Sequence, residues 1–207
     1  YGSNRATFDL EHGQVEIEQS ADFPWSDQVA ITVNPASPAT FDLKLRLPGW
    51  CPNPTVTVNG EPADLDANTT GGYLTLHRAW QAGDTVSLTL PMKTERVYAH
   101  PAVRQDVGRV AIQRGPLVYC AEQADNPGTD LFNARLDDAA PLRNAASDLF
   151  DGIVTVKADA RVTDSAAWGG ELYRTERPTE TNTELTLIPY FLWANREPGA
   201  MLVWLRS

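Results

Sequence analysis

Phe41-Asp42-Leu43-Lys44-Leu45-Arg46-Leu47, closed by Pro48-Gly49-Trp50, carries the pattern that decides the fold. Apolar and polar side chains alternate at every step. In an extended segment this puts the apolar set on one face and the polar set on the other, as a sheet with one solvated side requires. The same period of two returns in Gln14-Val15-Glu16-Ile17-Glu18, Val29-Ala30-Ile31-Thr32-Val33, Thr55-Val56-Thr57-Val58, Tyr73-Leu74-Thr75-Leu76 and Val86-Ser87-Leu88-Thr89-Leu90. Turn pairs separate these runs: Asn34-Pro35, Pro48-Gly49, Asn59-Gly60, Gly71-Gly72 and Gly83-Asp84. Asn59-Gly60 after Val58 is the best hairpin candidate, because both residues tolerate a positive φ. No long segment has a period of 3.6, so helix is expected to be scarce.

Pro91 ends this set of runs, and a break follows between Met92 and Pro101. The rhythm restarts over residues 107–113 and 117–122, then yields to a loop-rich stretch, 124–151, too irregular to assign. Alternation resumes in Ile153-Val154-Thr155-Val156-Lys157-Ala158, and residues 171–177 are expected to add a strand. At the C-terminal end residues 185–193 and 201–205 are expected to form a closing hairpin around the connection 195–199. The chain is therefore expected to be all-β, with two consecutive antiparallel β-sandwich (jelly-roll-like) domains and little helix. The first domain is expected over residues 1–93 and the second over 94–207; a single extended sandwich is the alternative.

The 207 residues are 42% hydrophobic and 21% charged, enough to bury a core, and carry a net charge of -10. That balance argues against nucleic acid and anionic membrane surfaces as partners, since both need clustered cations. No apolar run approaches the roughly 20 residues that span a bilayer. The opening Tyr1-Gly2-Ser3-Asn4-Arg5 has no basic start, apolar leader or initiator Met, which is expected of a piece of a longer protein.

Cys51 and Cys120 read as two isolated buried thiols, with one disulfide as the alternative. Nothing near Cys51 supports a nucleophile paired with His77 or His100. With His12, the two Cys and three His have no metal-ligand spacing. Among acids, Glu16 and Glu18 share one solvated strand face, Asp125 and Asp130 are close in sequence, and Asp137 and Asp138 fall in a loop. A glycosidase needs two carboxylates converging on a sugar, and proximity in sequence does not supply that.

Aromatics are the more serious candidates for contact with a sugar ring, which stacks on an exposed aromatic face. Trp25, Trp50, Trp80 and Trp193 are the candidate carbohydrate contacts, weighed against packing in a core or between domains. Trp50 follows a strand end and Trp80 precedes Gly83-Asp84, positions from which each would cap a sandwich core. Arg114-Gly115-Pro116 interrupts two apolar runs and is expected to form a bulge or tight bend. Asn195 is read as holding a left-handed or self-bonded turn, and Arg196 as a fork that ties neighbouring loops.

Taken in order, several of these motifs resemble one known family. They are Leu45-Arg46-Leu47-Pro48-Gly49-Trp50, Val56-Thr57-Val58-Asn59-Gly60, Gly72-Tyr73-Leu74 with Arg78-Ala79-Trp80 and Gly83-Asp84, then Val110 through Glu122, and finally Pro189 through Trp204. With Phe23-Pro24-Trp25 they are similar to the C-terminal part of the bacterial β-L-arabinofuranosidases of glycoside hydrolase family 127. The resemblance implies an (α/α)6 barrel followed by two β-sandwich domains. It assigns the chemistry to the barrel: a cysteine nucleophile, a zinc ion held by Cys and Glu, and a carboxylate acid/base. Neither Cys51 nor Cys120 falls in those motifs, so no catalytic residue and no cofactor are carried over to this chain. The implied partners are the catalytic barrel, a second copy in a homodimer and, for the tryptophans, a plant-type arabinose-containing glycan. A bacterial, cytoplasmic setting is the matching expectation.

Overall fold

The computed structural model describes residues 1–207. It is all-β, with helix confined to single turns such as Leu65–Asn68. No helix is long and apolar enough to cross a membrane. Two compact units divide the chain, Tyr1–Met92 and Lys93–Ser207.

Unit 1 contains β1 (Asn4–Leu10), β2 (Gly13–Ala21), β3 (Gln28–Pro35), β4 (Ala39–Arg46), β5 (Thr55–Val58), β6 (Glu61–Pro62), β7 (Thr69–Thr70), β8 (Tyr73–Trp80) and β9 (Asp84–Thr89). They form a six-stranded sheet in the order β1-β2-β3-β9-β5-β6 and a three-stranded sheet in the order β4-β8-β7. The alternating stretch that opened the sequence becomes β4. Its Leu43 and Leu45 stand opposite Leu76 and Leu74 of β8, with Asp42 opposite His77 on the other face. Asn59 (φ 51) and Gly60 (φ 87) make the turn between β5 and β6, a conformation that costs Gly nothing and Asn little. One core draws on both sheets: Val29, Ile31, Val33, Val56, Val86 and Leu88 from the wider, Leu45, Leu74, Leu76 and Trp80 from the narrower. Each such side chain contributes about 1.5–3 kcal/mol of burial. The first strand, β1, falls before the alternation detected in the sequence.

Unit 2 contains β10 (Thr94–Tyr98), β11 (Arg109–Arg114), β12 (Leu117–Glu122), β13 (Ala134–Leu136), β14 (Arg143–Ser147), β15 (Ile153–Thr163), β16 (Glu180–Pro189), β17 (Met201–Leu202) and β18 (Leu205–Arg206). Gly115, with φ 53, forms with Pro116 the tight turn between β11 and β12. Near that turn the two strands pair, Ile112 opposite Tyr119 and Arg114 opposite Leu117. Farther from it β17 pairs with β12 while β18 pairs with β11, so the C-terminal segment fills the gap between their diverging arms. Because β18 also pairs with β13, the path β11-β18-β13-β15-β16-β12 returns to β11 and closes into a ring of six strands. The expectation of two separate sheets in this half is corrected on that point. Closure leaves those six strands no open edge.

Two further expectations are corrected here. Residues 171–177 form no strand: β15 and β16 pair outward as far as Thr163 opposite Glu180, so residues 164–179 are the loop joining them. The closing segment is not a hairpin either. After Pro189 the chain makes a 3-10 turn, and β17 and β18 pair with β12, β11 and β13 rather than with β16. The unit's core gathers Val110, Ile112, Tyr119, Ala121, Leu136, Val156, Leu185, Leu187 and Leu205.

Candidate functional site

The candidate tryptophans separate by burial. Trp80, the last residue of β8, is fully buried; its Nε1 donates to the Phe41 carbonyl at 3.0 Å and its ring stacks on Phe41 at 5.9 Å. It offers a sugar no face, and its place as a candidate carbohydrate contact is corrected to core. Trp50 packs against the same core and lies 6.2 Å from Phe23, tilted by 32°. Trp25 is part-buried, its backbone N–H bonded to the Asp22 carbonyl at 2.9 Å. Trp193 differs: it is 41% exposed and stacks on Tyr190 at 6.1 Å with 13° between the ring planes. Tyr190 and Phe191 are exposed as well. Three aromatics therefore emerge from one turn, directly after a strand whose last residues are buried.

An ionic clasp holds that turn. Glu122, at the end of β12, is 1% exposed, and a carboxylate so deep requires a partner. Arg196 supplies it. Its Nη2 donates to Glu122 Oε2 at 2.6 Å, while Nη1 and Nη2 donate to the two oxygens of Asp125 at 2.7 and 2.6 Å. The second oxygen of Glu122 accepts the Ala194 N–H at 3.3 Å. Ala194 sits at φ 64, a region that a Cβ disfavours. Asn195 makes the self-bonded turn, Nδ2 donating to the Leu192 carbonyl at 2.9 Å, while its neighbour takes the left-handed conformation. Arg196 thus plays the loop-tying role read from its fork.

Close approach of backbone completes the clasp. The Gln123 N–H donates to the Ala200 carbonyl at 2.9 Å, and a Cβ placed on Gly199 would stand 2.7 Å from Gln123 Cβ. Asn126, buried beside them, donates to the Glu122 and Thr186 carbonyls and accepts the Thr186 N–H. The electrostatics follow from depth. Burial, with the Glu122 and Asp125 carboxylates adding to it and Arg196 opposing, pushes the Cys120 thiol up to about 12. The paired acids, Asp125 first, hold Arg196 above its ordinary value against the cost of burial. Burial also pushes Tyr119 up to about 12, its hydroxyl donating to the Val154 carbonyl at 2.8 Å.

The remaining candidates for chemistry are engaged structurally. Both cysteines are free and buried, and burial raises the Cys51 thiol too. A thiol held protonated is a poor nucleophile and a poor zinc ligand. Glu16 and Glu18 face Arg5 at 3.8 and 3.1 Å. Asp130 accepts the Phe132 N–H and an Asn133 side-chain bond, and Asp138 lies 3.7 Å from Arg96. No group of three or more His, Cys, Asp or Glu side chains is disposed to hold a metal ion. Sequence reasoning missed Glu122 as an anchor. The signal was a carboxylate closing the apolar run Val118-Tyr119-Cys120-Ala121, with its cation 74 positions away.

The chain is similar to known proteins over nearly its whole length. Residues 94–206 match the family model for the glycoside hydrolase family 127 C-terminal domain. Residues 1–92 match the model described as β-L-arabinofuranosidase, GH127 middle domain. A non-reducing end β-L-arabinofuranosidase of Bifidobacterium longum subsp. longum is 42% identical across 92% of this chain and 30% of its own length. The structure of a GH127 β-L-arabinofuranosidase from Geobacillus stearothermophilus T6 superposes with a TM-score of 0.94 at 41% identity, covering 100% of this chain and 32% of that one. A further GH127 β-arabinofuranosidase structure superposes at 0.87 and 31% identity, again over 100% of this chain and 34% of its own. The chain spans about a third of the length of these relatives.

Proposed function

Since the chain belongs to glycoside hydrolase family 127, we propose that it supplies the non-catalytic middle and C-terminal domains of a longer β-L-arabinofuranosidase-like enzyme. In this role residues 1–93 and 94–207 act as two domains that buttress a helical catalytic barrel, the second also contributing to dimer contacts. Unit 1 is then a two-layer sandwich, supported by its two sheets and the single core between them. Unit 2 is a closed ring of six strands around a core of its own. The carrying observation is the match of the whole chain, at a TM-score of 0.94, to 32% of a family β-L-arabinofuranosidase. The burial of both thiols and the pairing of the candidate acids support a structural role. Zinc, on this proposal, belongs to the barrel and not to this chain.

The test is turnover of an aryl β-L-arabinofuranoside, with and without added zinc. This chain is expected to show none, and the polypeptide extended by its N-terminal domain is expected to hydrolyse it. Hydrolysis by this chain alone would overturn the proposal.

A second use, binding an arabinose-containing glycan, is favoured by the exposed Tyr190–Trp193 pair alone. Titrating arabino-oligosaccharides while following tryptophan fluorescence tests it. A response lost in Trp193→Ala would support it, and no response at millimolar ligand would remove it.

A further inference from the structure

Unit 1 has an apolar face that runs past its own cover. Residues directly opposite across an antiparallel pair share a face, and the register sets Phe8 against Val15 and Ala6 against Ile17, with Leu10 next in the row. Val15 is 2% exposed and Ile17 packs on the core, so Phe8 and Leu10 point to the core side of the sheet. Yet Phe8 is 50% exposed and Leu10 42%. The cause is width: six strands stand against three, and β4 is the last strand of the narrower sheet. Beside Leu10 opens a slot of about 250 Å³, lined by Val15, Ala39 and Phe41, with Glu11 and His12 at its rim. The opposite face of β1 is ordinary charged surface, where Arg5 meets Glu18 at 3.1 Å. Large apolar side chains left open on the core side of a strand mark a seam that another body covers.

We propose that this overhang is the seat of the N-terminal domain of the longer family polypeptide, one apolar side chain of that domain entering the slot beside Leu10. The proposal rests on the function given above and adds the surface that performs it. Three findings select the occupant. The family model for residues 1–92 is the middle domain, and residues 94–206 match the C-terminal one. The relatives are about three times as long as the matched part. The remaining mass in the family therefore precedes this unit, and β1 is the unit's first strand.

The test is hydroxyl-radical footprinting of Phe8 and Leu10, in this chain and in the polypeptide extended by its N-terminal domain. Labelling of both is expected to fall several-fold in the extended form, and to be independent of concentration in this chain alone. In the extended form Phe8→Ser with Leu10→Ser is expected to lower the melting temperature of the N-terminal domain, while the same pair shifts this chain's own melting little. Equal labelling in the two forms, with an active helical domain present, would overturn the proposed seat and leave the proposed function standing. An extended polypeptide without a helical domain or hydrolysis would overturn both. Labelling that falls as this chain is concentrated would assign the face to a second copy and overturn the proposal.

Discussion

Arg196 and Asp125 stand 71 positions apart in sequence and meet fork to carboxylate, Nη1 to Oδ1 at 2.7 Å and Nη2 to Oδ2 at 2.6 Å. The same Nη2 reaches Glu122 at 2.6 Å, so one cation serves two acids, one of them almost wholly buried. Pairing of this kind adds little against a well-packed apolar equivalent, but removing one partner leaves a buried charge without compensation.

Arg196→Ala is therefore expected to destabilise unit 2 by about 3–5 kcal/mol. Arg196→Lys recovers only part of this, because an ammonium cannot present a planar fork. Urea unfolding followed by far-UV circular dichroism checks both, with Arg5→Ala on the surface as the near-neutral control.

Gly199→Ala drives a methyl to 2.7 Å from Gln123 Cβ, where the Gln123 N–H also bonds the Ala200 carbonyl. A loss of about 1–3 kcal/mol is expected from overpacking. Gln123→Ala in the same background leaves that Cβ in place and is expected to give little relief, which a double-mutant cycle would measure.

Trp80→Ala removes the largest fully buried side chain of unit 1 and the donor to the Phe41 carbonyl. A loss of about 3–5 kcal/mol is expected. Trp193→Ala, at an exposed position, is expected to change the chain's own stability by less than about 1 kcal/mol. Thermal melts of the two variants side by side test the assignment of one tryptophan to core and the other to surface.

Alkaline pH is expected to destabilise unit 2. The Cys120 thiol rises from 9.0 to about 12 and the Tyr119 hydroxyl from 10.0 to about 12. The native state keeps these protons while the unfolded chain loses them, so unfolding is favoured as pH climbs. The effect is absent below pH 9 and grows from about pH 9 to 12, at up to about 1.4 kcal/mol per pH unit for each group. Denaturant midpoints measured across that range are expected to fall, less steeply in Cys120→Ala. Ellman's reagent at pH 8 is expected to find both thiols unreactive until urea is added.

Much of the sheet structure was legible because its signal is local. Val29-Ala30-Ile31-Thr32-Val33 and Asn59-Gly60 declare strand and turn within a few residues, and they form β3 and the β5–β6 turn. Ring closure was not legible. It depends on β18, two residues long, choosing β11 and β13 over β16, the last long strand before it, and no period marks that choice. For the same reason residues 171–177 looked like a strand: the segment's composition permits extension, but the β15–β16 register leaves it no partner. At the aromatic turn Arg196 announced a tie, whereas the depth of Glu122 emerged only once the end of β12 and the segment around Arg196 were brought together. Burial of Trp80 and exposure of Trp193 depend on which sheet face each occupies, which composition does not record.

Ring closure in unit 2 also orders events in time. The strands that fill the gap between β11 and β12 are Met201–Leu202 and Leu205–Arg206, near the end of the sequence. A nascent chain on the ribosome therefore holds β10 to β16 unsealed until those residues leave the exit tunnel.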